Sequence, residues 1–139
     1  SDLMNQDFTI ALREHNLKAT PQRLAMLEII FLNGHINIDK LYEDVKVKFE
    51  SISLATIYKN ITAMTKSMLL FEVKLPNEKS VYEIVKDNHS HLHCKECGEV
   101  EDIYIDTNKM IDDISSRNTF KIEQSDIVLT GSCKSCQAI

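Results

Sequence analysis

The chain has 139 residues, with 16 basic and 21 acidic side chains and a net charge of −5. That balance excludes wholesale disorder and leaves room for one ordinary domain or two small ones. No apolar stretch reaches the length of a membrane span, and the first ten residues carry two aspartates and no basic residue, unlike a signal peptide. A cytoplasmic protein is therefore expected, in which paired cysteines more often bind metal than form disulfides. The acidic excess is local. Residues 1–75 carry 9 basic and 9 acidic groups, residues 76–139 carry 7 and 12, so the first half is free to present a basic face to phosphates.

Taken in order, the first half reads as a series of helices. Residues 5–15 place Phe8, Ala11 and Leu12 at helical spacing. Thr20-Pro21 then supplies an N-cap and a proline for the first turn of a second helix. Its expected buried stripe is Leu24, Leu27, Ile30 and Phe31, and Asn33-Gly34 stops it. Asn37 or Asp39 is placed to cap a third helix that turns Leu41, Val45 and Phe49 inward. Ser53 caps a fourth, with Ile57, Ile61 and Met64 buried and Thr56, Tyr58, Lys59 and Asn60 on other faces. The β-rich runs 70–75 and 81–85, joined by Pro76-Asn77-Glu78-Lys79-Ser80, give a hairpin signal. Helices followed by a hairpin describe a winged helix-turn-helix, whose last helix reads the major groove. On local pattern alone, Tyr58 and Lys59 read equally well as surface residues of a helical domain.

Domains are expected at 1–85 and 86–139. In the second, residues 91–95 and 100–105 look like strands, Asp106 is placed to cap a short helix carrying Met110, Ile111 and Ile114, and residues 120–129 look like a further strand or two. The fold class is thus α+β: an N-terminal winged helix-turn-helix followed by a small α/β domain that carries both cysteine pairs.

The second half holds the chemistry. All four cysteines fall in two Cys-x-x-Cys turns, Cys94/Cys97 and Cys133/Cys136. Two such turns brought together give a tetrahedral thiolate site suited to structural Zn2+; a redox pair or four incidental thiols are the competing readings. His89 and His91, two apart, point to one side of an extended segment. Glu83, Asp102 and His35 are candidates to join them in a mixed nitrogen and oxygen shell, which suits Fe2+ or Mn2+. With ligands drawn from both domains, such an ion would fix their relative arrangement. The bland reading leaves the histidines exposed and the carboxylates unrelated. His93 is expected on the opposite side of the strand and is read as a non-ligand, and His15 as an ordinary surface residue.

The stretches Leu17-Lys18-Ala19-Thr20-Pro21-Gln22-Arg23, Ser53-Leu54-Ala55-Thr56-Ile57-Tyr58-Lys59-Asn60, His89 to Gly98 and Cys133-x-x-Cys136, in that order, resemble the ferric uptake regulator family of bacterial metal-dependent repressors. The resemblance covers nearly the whole chain. It implies a homodimer, held by its C-terminal α/β dimerisation domains, that binds palindromic promoter DNA when a regulatory metal is present, and no catalytic turnover. It implies DNA contacts by Lys18, in a minor groove, and by Arg23, Ser53, Thr56, Tyr58 and Lys59. It also implies structural zinc on Cys94, Cys97, Cys133 and Cys136, and a regulatory ion on His35, Glu83, His89, His91 and Asp102.

Departures from the family pattern bear on the branch. Iron sensors commonly read His-His-Asp-His before the first cysteine turn, where this chain has Asn88-His89-Ser90-His91. The remaining ligands of their additional site fall near Lys109 and Ser125, so that site is not expected here. A single regulatory site, with Asp102, resembles the peroxide-sensing branch, in which oxidation of a ligand histidine releases DNA; His35 and His89 would be the oxidation-sensitive residues. Glu83 fits less well, since peroxide sensors more often carry aspartate there. Reversible iron sensing is the alternative. A small non-haem iron enzyme would leave the Ser53–Asn60 helix unexplained, and a zinc-ribbon contact module would leave the histidines unexplained.

Overall fold

The computed structural model describes residues 2–137, with side chains from Gln6 onward. The chain forms two compact units, one up to Lys86 and one from Asp87.

In the first unit, α1 (Asp2–Glu14) is followed by α2 (Pro21–Asn33), which starts where the sequence signals it: Thr20 Oγ1 accepts the Arg23 N–H and Pro21 opens the first turn. Gly34 ends α2 at a positive φ of 76°, where glycine carries no Cβ penalty, and its N–H bonds back to the Ile30 carbonyl. Asn37 caps α3 (Ile38–Lys48) through the Lys40 N–H, and Ser53 caps α4 (Leu54–Lys66) through the Thr56 N–H. The hairpin is β2 (Leu70–Val73) against β3 (Val81–Ile84), antiparallel, with the remainder of the wing between them.

Leu12, Met26, Leu27, Ile30, Leu41, Val45, Ile57 and Met64 are fully buried and form one apolar core with their neighbours. The stripe of α2 differs from expectation. Ala25 and Met26 are buried, Leu24 is half-buried, and Phe31 is 57% exposed with its ring edge-on to Phe8. The helix is apolar on nearly every side, so periodicity alone does not choose its inner face. A two-residue strand, β1 (Ile36–Asn37), also joins the sheet, whose order is β1-β3-β2.

The second unit is built on β4 (Ser90–Cys94), which pairs antiparallel with β5 (Val100–Ile103) and parallel with β6 (Val128–Gly131). A parallel neighbour requires a long crossover, and α5 (Asn108–Asn118) lies within it. Thr107 stands at the cap position of α5, while Asp106 accepts the Asn108 N–H just before it. No residue of α5 is buried: Met110 and Ile114 are exposed. Of the anticipated strand over 120–129 only the end forms, as β6; residues 120–127 follow no regular structure. A short helix, α6 (Lys134–Gln137), carries the last cysteine.

Candidate metal centres and nucleic-acid interface

The cysteine centre follows from the strand register. Cys94 closes β4 opposite Gly131 of β6, and the Lys95 N–H bonds the Gly131 carbonyl at 2.8 Å, so Cys133 arrives beside the first turn. Gly98, at φ 80°, lets that turn close, its N–H donating to the Cys94 carbonyl. The four sulfurs lie within 4.8 Å of one another, and Cys97 Sγ is 3.9 Å from Cys133 Sγ. Tetrahedral ligands at zinc–sulfur bonds of about 2.3 Å stand about 3.8 Å apart, so the cluster fits zinc. The same 3.9 Å is far from a disulfide bond of about 2.05 Å, and all four cysteines are free. The thiols compete for ionisation. Backbone N–H groups of Cys97 and Cys133 draw the Cys94 thiol down to about 6, the Cys133 N–H lying 3.3 Å from its sulfur. The sulfurs of Cys133 and Cys94 push Cys136 up to about 12. Four thiolates share this volume only when a cation balances them.

The five candidates for the regulatory ion fall into two groups, one in each unit. In the first, the register of β1 on β3 (Ile36 against Tyr82) carries the preceding His35 to Glu83, and His35 Nε2 lies 2.9 Å from Glu83 Oε2. Glu83 is buried. In the second, His91 and Asp102 are direct cross-strand partners. Their Nε2 and Oδ1 atoms are 3.4 Å apart, and His89 Nε2 lies 3.5 Å from the same oxygen. Donors on one first-row ion at about 2.0–2.2 Å stand roughly 3.0–3.5 Å apart, so both groups have the spacing of ligands to a common ion. His89 Nδ1 is 2.6 Å from the Asp87 carbonyl, an outer contact that turns Nε2 toward Asp102.

His93 corrects an expectation. Strand side chains alternate at every residue, so His93 shares the face of His91 rather than opposing it. It is buried, with Nδ1 3.3 Å from Thr130 Oγ1. His15 is half-buried rather than a plain surface residue, its Nδ1 2.7 Å from the Ala11 carbonyl.

On the first unit, α4 presents Leu54, Ala55, Tyr58 and Lys59 to solvent, with Tyr58 49% exposed. Leu54 and Ala55 were not singled out from the sequence, although their spacing to Tyr58 and Lys59 on one helical face could have indicated them. Ser53 and Thr56 bond each other (Oγ to Oγ1, 2.9 Å) at the start of the helix. Lys18 is exposed in the loop before α2. Arg23 is half-buried, its guanidinium directed to Asn60 Oδ1 and the Lys18 carbonyl. In the wing, Lys79 forms an ion pair with Asp39 at the start of α3. Among the described residues, no helix is long and apolar enough to cross a membrane.

Residues 14–130 match the family described as Ferric uptake regulator family. The chain belongs to the ferric uptake regulator family. Membership makes it a metal-responsive transcriptional regulator of the Fur/PerR kind. Within that family it is 28% identical, over 95% of its length and 90% of the relative's, to the peroxide-responsive repressor PerR of Staphylococcus saprophyticus. Among solved structures it is similar to the Campylobacter jejuni peroxide stress regulator: 35% identity, TM-score 0.72, covering 91% of this chain and 96% of that one. The Vibrio cholerae ferric uptake regulator superposes with TM-score 0.76 at 28% identity, over 90% of this chain and 98% of that one. The Fur-family fold, with a winged first unit and a four-cysteine second unit, is the one the sequence implied.

Proposed function

We propose that this chain is a dimeric, zinc-stabilised repressor whose regulatory ion is Fe(II) or Mn(II) and whose signal is hydrogen peroxide. The observation that carries the reading is the grouping of donors: His35 with Glu83 in the first unit, His89 and His91 about Asp102 in the second. Two or three donors do not fill the shell of a first-row ion. Together they offer three imidazoles and two carboxylates, a hard, mixed set that suits Fe(II) or Mn(II). One ion held by both groups favours whichever arrangement of the units it bridges, which is the differential binding a switch requires. Cys94, Cys97, Cys133 and Cys136 would hold zinc in the second unit, in a structural role.

The second unit leaves Met110, Ile114, Tyr104, Ile105 and Phe120 exposed, an apolar surface that a second copy would cover. A two-fold dimer matches a palindromic promoter duplex. In this reading Lys18 enters a minor groove, and the face of α4 carrying Ser53, Thr56, Tyr58 and Lys59 meets the major groove.

Fe(II), when bound, supplies the electrons that activate peroxide. The protein's part is to lose a donor. One ring carbon–hydrogen bond of His35 or His89 becomes a carbon–oxygen bond; peroxide provides that oxygen atom, and its other oxygen leaves as water. An oxidised ring donates poorly, the shared shell opens, and the two reading heads lose their fixed spacing. Asp102 and the peroxide-regulator names of the relatives support this over reversible iron sensing.

The test is intact and peptide mass on anaerobically Fe(II)-loaded protein, before and after stoichiometric peroxide, beside a Mn(II)-loaded control. The expected result is one added oxygen on His35 or His89 with iron alone, together with loss of DNA binding. Intact histidines with oxidation confined to methionines or cysteines would sink the peroxide reading and leave a reversible metal sensor.

A further inference from the structure

Arg23 sits on α2, yet its side chain is bonded at both ends to other elements. Nε donates to Asn60 Oδ1 at 2.9 Å, and Nη1 donates to the Lys18 carbonyl at 3.1 Å. The acceptors are themselves fixed. Asn60 Nδ2 donates to the Thr56 carbonyl at 3.1 Å, which orients its amide so that the oxygen faces Arg23. The Lys18 carbonyl also accepts the Thr20 N–H at 3.0 Å, so two donors hold it. The loop that carries Lys18 is tied to α1 as well: Leu17 N–H bonds the Leu12 carbonyl at 2.8 Å, next to Asn16 at a positive φ of 62°. A planar guanidinium with donors diverging at fixed angles is the one side chain that spans two acceptors in this way; a lysine ammonium is a single point.

We propose that Arg23 is a positioning residue: it braces the Lys18 loop against α4, setting the distance between the two DNA-facing elements, and is not itself a phosphate contact. This rests on the reading of α4 and Lys18 as the DNA-facing parts of the first unit. The Ser53–Thr56–Asn60–Arg23–Lys18 series of hydrogen bonds then joins the major-groove and minor-groove readers into one rigid piece.

The experiment uses full-length Mn(II)-loaded protein and a duplex selected in vitro by the wild-type protein, with affinity measured across a salt series. A brace and a phosphate contact respond differently to Arg23→Lys. The substitution keeps the charge but not the fork, so a brace loses roughly tenfold in affinity, within the range of coupled polar networks. A phosphate contact stays near wild type. In the cycle of Lys18→Ala with Arg23→Gln, the brace makes the costs non-additive. The double variant then loses only one phosphate's worth of salt dependence, a slope change of about 0.9. Additive costs, a slope change of about 1.8, or normal binding by Arg23→Lys would overturn the proposal.

Asn60→Ala serves as the second variant, since it leaves Arg23 intact and should reproduce the loss seen with Arg23→Lys. In the free protein, the Arg23 Nε–H resonance should be protected from exchange and lose that protection in Asn60→Ala; an unprotected wild-type resonance removes the brace itself. Absence of any DNA binding by the wild type, with the resonance still protected, would instead remove the DNA-facing reading of α4.

Discussion

The two units of this protein reach stability by different routes. The first closes around thirteen buried residues contributed by every helix from α1 to α4, by Ile36 of β1, and by Leu69 and Leu70 at the entry to β2. In the second, the buried residues among those described are Ser90, His91, His93, Cys94 and Thr107, and none of these is a large aliphatic. Each fully buried leucine or isoleucine is worth about 1.5–3 kcal/mol, so the first unit has a core sufficient to hold itself. The second has three short strands, an unburied helix and four converging sulfurs. Small units with little core depend on metals, disulfides or partners, and here polar side chains and a thiol stand where aliphatic side chains would otherwise be. On its own it has little to hold it folded, so a bound ion or a partner would decide its stability.

Removing zinc should break the comparison most forcefully. Structural zinc in small modules contributes roughly 10–16 kcal/mol, so chelation, or Cys97→Ser, should unfold the second unit and leave the first folded. Amide exchange resolved by residue would show protection lost across β4, β5 and β6 and retained in α2 and α4. Uniform loss in both units would refute their independence. Acidification should act in the same direction. Metal binding requires the thiolates, and the Cys136 thiol, held up at about 12 without a cation, gives up its proton when the ion arrives. Zinc affinity thus rises with pH and falls as pH drops.

The converse change belongs in the first unit. Leu27 is fully buried in its core, and Leu27→Ala should cost roughly 2–5 kcal/mol, measured by denaturant unfolding, with zinc content unchanged. The smallest effect sharpens the picture at one helix end. Ser53→Ala removes the side-chain acceptor of the Thr56 N–H and should cost about 1 kcal/mol, again without touching the second unit. A fall in zinc content in either variant would mean that the units support one another.

Much of the first unit was legible because its boundaries are marked by side chains that act locally. Thr20, Asn37 and Ser53 each cap the helix they precede, with the bond from side chain to backbone in place. The hairpin around Pro76-Asn77 is also short-range. What the sequence could not settle were matters of pairing over distance. The two-residue strand β1 is too brief for periodicity to register, yet its register on β3 is what brings His35 to Glu83. The parallel pairing of β6 with β4 depends on a crossover through α5, and no local signal fixes it. Spacing in α5 says only that apolar residues share a side, not that anything in the same chain covers them, and none of its residues is buried. The side taken by His93 differs for a simpler reason: residues two apart on β4 share a face. The cysteine centre was the most readable part of the site, since two paired turns state their own geometry. The imidazole and carboxylate side chains become neighbours only through the strand registers, which no local signal fixes.

One further consequence lies in the spacing of the sulfurs. Cys97 and Cys133, 3.9 Å apart in space, are 36 residues apart in sequence, whereas the hairpin and helices of the first unit lie wholly before them. On the ribosome, where domains fold as units in the order they emerge, the winged unit is complete while only the first pair of cysteines exists. A nascent chain arrested before Cys133 would thus carry a folded first unit with no means of closing its second. Synthesis itself sets a timer: the four-sulfur cluster can close only after Cys133 and Cys136 have been made.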